Sequence, residues 1–283
     1  MTAIEGAETS AGISAADATL ASTDAYISSI CYIGSKSLSH VLSYIERCRD
    51  RLTKIGQSPE GRAQIISSVA NFWSTVQAGV AVNIVDKLLN YSILTPSSVV
   101  QWALDAQRIQ GGKLLAETWV YEMVERTINK VIGRIHQIID MRLQPVTAQQ
   151  IAQLEKALAD DSEAMRALFR EVDDALAGIA EGAGEGMLED ADTTNEADGD
   201  RVKDDMELAR QWGVKWRRAW ARKLAVEETR LREVAKVFPP PKEDVMEGLE
   251  EVKADGEEVK VEEANGVDGA NGAAKEGEGD EIL

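Results

Sequence analysis

The chain has 283 residues, and its 49 acidic and 31 basic side chains give a formal net charge of −18. Two short stretches hold most of that charge: residues 181–200 have eight acids and no base, and residues 239–283 have 15 acids and four bases. We expect no membrane-spanning helix, because the uncharged apolar runs look too short, and we expect no secretory signal, because the first residues lack a basic region and a continuous apolar core. Two cysteines are too few for a disulfide framework or a four-cysteine zinc site, so the chain belongs in a reducing compartment.

Helices dominate the prediction along the chain. Residues 1–22 are small and polar and are predicted to be a disordered lead-in. From there, apolar residues recur every three or four positions, which is the pattern of amphipathic helices. The predicted helices cover 24–33, 37–54, 59–76, 79–92, 96–107, 112–142, 147–180 and 202–237.

Several helix starts are marked by capping residues. A serine or threonine directly before a proline predicts an N-cap followed by the first helical position. A threonine three residues before a glutamine predicts a capping box. These signals occur at Ser58–Pro59, Thr95–Pro96 and Thr147–Gln150. The connections between helices are short, so consecutive helices are expected to lie antiparallel.

The spacing of the helix starts indicates the architecture. Starts near 37, 59, 79 and 96 make a two-helix unit of about forty residues, the period of HEAT-type repeats. The sequence therefore predicts an all-α fold of HEAT-like antiparallel hairpins, an α-solenoid. Residues 23–180 form its first part and 201–238 its terminal basic, tryptophan-rich helix. Residues 181–200 are predicted to be a flexible acidic loop, and 239–283 a disordered acidic tail.

The sequence contains no clear motif for catalysis or for cofactor binding. The two histidines, His40 and His136, lie far apart, and no G-x-S-x-G, H-E-x-x-H or C-x-x-C motif occurs. Glycines 182, 184 and 186 are interleaved with glutamates and follow no strand, so they do not predict a phosphate loop. We therefore predict no catalytic residue, no cofactor and no metal, and we do not expect an enzyme.

Residues 210–223 combine six bases with three tryptophans at four-residue steps and no acid. On a helix, Trp212, Trp216 and Trp220 share one face. One interpretation is a surface that stacks on RNA bases and neutralises phosphates. The other is a core stripe with the bases in solvent, which is the commoner use of such spacing. In either case the candidate polyanion contacts are Arg217, Arg218, Arg222 and Lys223.

Residues 37–104 resemble the C-terminal repeat domain of the large subunit of the nuclear cap-binding complex. The resemblance depends on Ser37–Ser39, Pro59–Gly61, Trp73, Val85–Leu88 and Val99–Leu104. Its most specific letters are "NIVDKLLNYSILTPSSVVQWAL", and its motif residues are Trp73, Val85, Asp86, Lys87 and Trp102. Weaker similarity continues through 117–135, 162–179 and 211–236.

The resemblance implies a non-enzymatic scaffold. In that family, three helical-repeat domains, related to the middle domain of the translation-initiation scaffold, hold a small RNA-recognition subunit that binds the methylated cap. This chain would correspond to the third domain, and its interval at 142–160 is too short for a long coiled coil. The implied partners are the small subunit, capped RNA indirectly, and other mRNA-processing or export proteins, with no membrane. The implied location is the nucleus, with shuttling to the cytoplasm.

Two alternatives stay open. The same fold could act as an adaptor in translation initiation or mRNA decay, which a cytosolic, polysome-associated location would favour. The helix at 210–223 could also bind RNA directly, which exposed tryptophans would favour.

Overall fold

The computed structural model describes residues 14–105, 113–181 and 196–237, and every regular element within those ranges is an α-helix. The helices are α1 (Ala15–Gly34), α2 (Leu38–Arg47), α3 (Arg49–Ile55), α4 (Pro59–Asn90), α5 (Pro96–Leu104), α6 (Lys113–Ala116), α7 (Thr118–Arg142), α8 (Ala148–Ala180) and α9 (Glu196–Val237).

All three predicted N-terminal caps are confirmed. The hydroxyl of Ser58 accepts a hydrogen bond from the Gly61 amide at 2.9 Å, with proline in the first turn of α4. Thr95 and Thr147 each form a capping box, the first with Ser98 and the second with Gln150. These bonds satisfy amides that have no partner inside the helix, which is why the starts could be located from the sequence.

The long helix α4 is a hairpin. At Gln77 the backbone angles are non-helical, with φ −156° and ψ 75°. Ile65 from the first half and Leu88 from the second line the same small cavity, about 10 Å³ in volume. A straight helix would hold these residues roughly 34 Å apart, so the chain reverses at Gln77. The predicted pair of helices at 59–76 and 79–92 is therefore present.

The apolar character of α4 corrects one expectation. No charged residue occurs between Arg62 and Asp86, and α4 is long and apolar enough to cross a membrane, with a mean hydropathy of 1.3 over its most apolar window. The prediction that no apolar run approaches that length is thus wrong for α4. Because 56% of the window is buried inside the protein and the helix folds back on itself, we interpret it as a core element.

The helices stack in chain order. α1 packs on α2 and α4, α4 on α5 and α7, α5 on α7 and α8, and α8 on α7 and α9. A continuous apolar core runs through these contacts, from Ile27 in α1 to Trp220 in α9. Each hairpin therefore buries its apolar face against the next, as in a helical-repeat solenoid, and the all-α fold is confirmed.

Some boundaries differ from prediction. Ser14 caps α1, which begins at Ala15 inside the predicted lead-in, because small residues such as Ala18 pack closely against the core. The predicted helix 37–54 breaks at Cys48, and 112–142 is interrupted at Glu117.

The acidic segments lie mostly beyond the described ranges. Helix α9 begins at Glu196, so the last five residues of the predicted loop at 181–200 are helical. Residues 182–195, the tail and the remainder of the lead-in lie outside the described residues.

Candidate polyanion and partner interface

The tryptophans of α9 face the protein interior. Trp216 and Trp220 are only 2% and 3% exposed, and Trp212 is half-buried. Tyr121 of α7 meets Trp216 edge-on, with ring centroids 5.0 Å apart, and stacks with Trp220 at 5.3 Å. Both geometries are favourable for aromatic pairs. The core interpretation is therefore correct for Trp216 and Trp220, and neither ring is available to stack on RNA.

Two of the four candidate bases are used inside the fold. The Arg217 guanidinium donates to both carboxylate oxygens of Asp173 in α8, at 2.6 and 3.0 Å. This hydrogen bonding lowers the pKa of Asp173. The Lys223 ammonium lies 3.9 Å from a carboxylate oxygen of Glu125 in α7. Arg217 and Lys223 thus join α9 to its neighbours.

The other two candidates point away from the core. Arg218 and Arg222 are exposed, and the Arg222 Nε donates to the Arg218 carbonyl at 3.2 Å. Lys215, which is not among the four predicted contacts, lies on the same side, with its Nζ 4.5 Å from the centroid of the Trp212 ring. Among the described residues, none of these three cations forms an ion pair with a carboxylate.

Further polar ties hold α9 in place. Arg166 of α8 donates to Glu228 at 2.7 Å, and a ring nitrogen of His136 in α7 lies 2.7 Å from a Glu227 carboxylate oxygen. The pKa of Arg166 is raised, mainly by its hydrogen bond to Glu228. These contacts fix the rotation of α9 about its axis, so its outward face is defined.

The buried residues of the family-matching motif hold hairpins together. Trp73 and Val85 are buried in the two halves of α4. Trp102 of α5 is also buried, and its indole nitrogen donates to the Ser67 hydroxyl at 2.9 Å. These residues pack α4 on itself and on α5.

The charged pair of the motif acts at the surface of the stack. The Asp86 carboxylate lies 2.9 Å from the ammonium of Lys130 in α7. The Lys87 ammonium lies 4.0 Å from the Glu46 carboxylate in α2 and 4.7 Å from the centroid of the Tyr91 ring. Asp86 and Lys87 therefore join α4 to two different helices, α7 and α2.

Two surface clefts could admit a partner. One, of about 510 Å³, lies between α4, α5 and α8 and is lined by Arg62, Trp102 and Glu171 among others. The second, of about 880 Å³, separates α1 from α3 and includes Leu20 and Ile55. Both are open clefts rather than enclosed ligand pockets.

The described residues hold no cluster of three or more His, Cys, Asp or Glu that could bind a metal ion. His40 is exposed and contacts the Ser37 hydroxyl at 2.7 Å, far from the His136–Glu227 contact in the chain. The glycines at 182, 184 and 186 lie outside the described ranges. The geometry therefore offers helix faces and clefts for macromolecular contacts.

Stacked antiparallel hairpins joined by polar contacts define an α-helical repeat protein. Comparison with known proteins gives the family: residues 1–229 match the model described as MIF4G like, and the chain belongs to that family. This agrees with the resemblance recognised in the sequence.

Three relatives of the chain share one name. The chain is 27% identical over 108 residues to nuclear cap-binding protein subunit 1 of Schizosaccharomyces pombe, covering 38% of this chain and 13% of the relative. It is 24% identical over 143 residues to the protein of that name from Oryza sativa, covering 50% and 15%, and 24% identical over 103 residues to the one from Arabidopsis thaliana, covering 36% and 12%. The chain thus spans only about an eighth to a seventh of these relatives.

Proposed function

We propose that the chain is a non-enzymatic scaffold component of a nuclear mRNA cap-binding complex. The observation that supports this most directly is that similar proteins from a yeast and two plants bear the same name, nuclear cap-binding protein subunit 1. The match of residues 1–229 to the MIF4G-like family also supports the proposal, because a helical-repeat domain suits a scaffold. In this role the chain supports a small RNA-recognition subunit and contacts processing and export proteins in the nucleus.

The aromatic rings of the chain suit a supporting role better than direct cap binding. Two aromatic rings can hold a methylated guanine between them only if a face of each ring is accessible. Each ring pair among the described residues includes a buried tryptophan: Trp73, Trp102, Trp216 or Trp220. We therefore place the cap on the partner subunit.

Affinity purification tests the proposal. A tagged full chain expressed in its native cells should bring down a small RNA-recognition protein, and the pair should be retained on 7-methylguanosine resin. Free 7-methyl-GTP should elute it, whereas unmethylated GTP should not. The chain alone should pass through the resin. Absence of such a partner from native complexes, or retention of the chain alone, would contradict the proposal.

Location gives an independent check. A fluorescent fusion of the full chain should concentrate in the nucleus when the small subunit is present. A protein found only on cytosolic polysomes would favour the translation or decay adaptor instead.

A further inference from the structure

The outward face of α9 is a compact cationic surface. Lys215, Arg218 and Arg222 occupy helix positions i, i+3 and i+7, which lie within about 60° of one another around the axis and rise over roughly 10 Å. They lie at least about 120° from the centre of the stripe formed by Trp216 and Trp220. The buried tryptophans therefore direct these three cations into solvent. We call this set the α9 cationic face.

The charge of this face is not compensated locally. Between Leu208 and Val226 the chain has no acidic residue. Lys215, Arg218 and Arg222 are exposed and form no ion pair with a carboxylate in the part of the chain that the structure describes. The flanking bases of the same helix differ, because their charges are already matched by acids on α7 and α8. Within the described ranges, three exposed cations of α9 therefore remain without a carboxylate partner.

The side chains of the α9 cationic face suit the phosphate groups of a nucleic acid better than its nucleobases. Guanidinium groups bind phosphate oxygens with two parallel hydrogen bonds, and an ammonium adds a point charge. Base stacking would need an accessible aromatic ring, but Trp216 and Trp220 are buried and Lys215 lies over Trp212. Binding through this face should therefore be independent of sequence and sensitive to salt.

The surroundings of the face favour RNA over a protein. Protein interfaces usually centre on buried apolar or aromatic anchors. Small residues, Ala219 and Ala225, flank the three cations, and the half-buried ring of Trp212 is covered by Lys215. The first exposed large apolar residue beyond them is Val226. We propose that the α9 cationic face binds the phosphate backbone of single-stranded RNA. The choice of RNA rests on the proposed function, which places the domain beside a capped transcript.

Fluorescence anisotropy with the full chain and a labelled, uncapped oligouridine of about 16 nucleotides tests this directly. The test variant is K215Q/R218Q/R222Q. The matched control, K36Q/K54Q/K156Q, removes the same charge from three exposed lysines dispersed over other parts of the fold. Titrations at about 50 and about 200 mM salt give both the affinity and its salt dependence. Circular dichroism verifies that each variant keeps its helical content.

The three contacts should make a large contribution at low salt. Each phosphate contact on a single strand contributes about 0.7 to the slope of log affinity against log salt, so the test variant should flatten the slope by about 2. Its affinity near 50 mM salt should fall at least about tenfold, while the control should stay within about twofold of the wild-type chain.

Equal losses in the two variants would show a general charge effect and overturn the proposal, and so would unchanged binding by the test variant. A polyglutamate peptide that bound more tightly than the RNA, and required the same three residues, would assign the face to acidic proteins and also overturn it. The assay contains neither a cap nor a small subunit. Failure here would therefore leave the co-purification result intact, and failure of co-purification would leave this result intact.

Discussion

Replacing Trp216 by alanine should destabilise the protein far more than replacing Trp212. Trp216 is 2% exposed and packs edge-on against Tyr121, whereas Trp212 is half-buried at the rim of the same helix. Truncating a fully buried tryptophan costs about 3–5 kcal/mol, because apolar contacts are lost and a cavity remains. We expect about 4 kcal/mol for Trp216→Ala and about 1–2 kcal/mol for Trp212→Ala.

Urea unfolding of the full chain, followed by circular dichroism, measures this difference. In thermal unfolding, followed by the same signal, the loss of about 4 kcal/mol should lower Tm by roughly 10 °C. Because such a loss is a large part of a typical stability, Trp216→Phe serves as a milder variant that keeps a ring against Tyr121. If Trp216→Ala cost no more than Trp212→Ala, the packing of α9 described here would be wrong.

Three further predictions concern other parts of the fold. Gly61→Ala should destabilise the protein, because its new Cβ would clash with the backbone oxygen of Ile55. Gly133→Ala has open space around the new Cβ and should stabilise α7 by about 0.5–1 kcal/mol. Burial raises the pKa of the Cys31 thiol to about 11, so a thiol reagent at pH 8 should modify the half-buried Cys48 first and Cys31 only on unfolding. The carboxylate of Asp173, whose pKa is lowered by its hydrogen bond to a guanidinium, should stabilise the fold above its unfolded pKa and lose that effect as pH falls through the folded value.

Urea unfolding checks the glycine variants, and equal stability of Gly61→Ala and Gly133→Ala would contradict the close approach. The thiol assay is controlled by Cys48→Ser, in which rapid labelling should disappear; persistence of a fast phase would place Cys31 at the surface. For Asp173, the stability of the wild-type chain and of Asp173→Asn should differ near pH 7, and the difference should shrink as the pH falls below the unfolded pKa of an aspartate, about 3.9. A constant gap across that range would exclude the ion pair as its cause.

Much of the fold was predictable because local chemistry specifies helix starts. Ser58, Thr95 and Thr147 cap helices where their hydroxyl spacing predicted it. The reversal near Gln77 was also expected, although no proline or paired glycine marks it. The early start of α1 was not predicted, although local signals for it are present: Ser14 caps the helix, and four of residues 15–22 are alanine, the residue with the highest helix propensity.

The candidate site was predicted only in part, because residue type does not show which way a base points. Arg217, Arg218, Arg222 and Lys223 were grouped by proximity, yet Arg217 and Lys223 form contacts inside the fold. A helical projection of the sequence gives part of this division: Lys223 lies about 20° from the centre of the three-tryptophan stripe, whereas Arg218 and Arg222 lie at least about 120° from it. Arg217 and Lys215 both lie about 100° from that centre, so the projection alone does not separate them. The acids that neutralise the flanking bases are distant in sequence and could not be assigned.

The reversal of α4 has a consequence for how the chain acquires its structure. Residues 63–85 contain no charge, so this stretch would be prone to self-association if it remained exposed after synthesis. Because the chain turns back at Gln77, its two halves can cover each other through contacts only some twenty residues apart in sequence. Such local contacts form early, since little chain entropy is lost in closing a short loop. The hairpin can therefore shield its own apolar surface before α7, which is synthesised later, completes the cover.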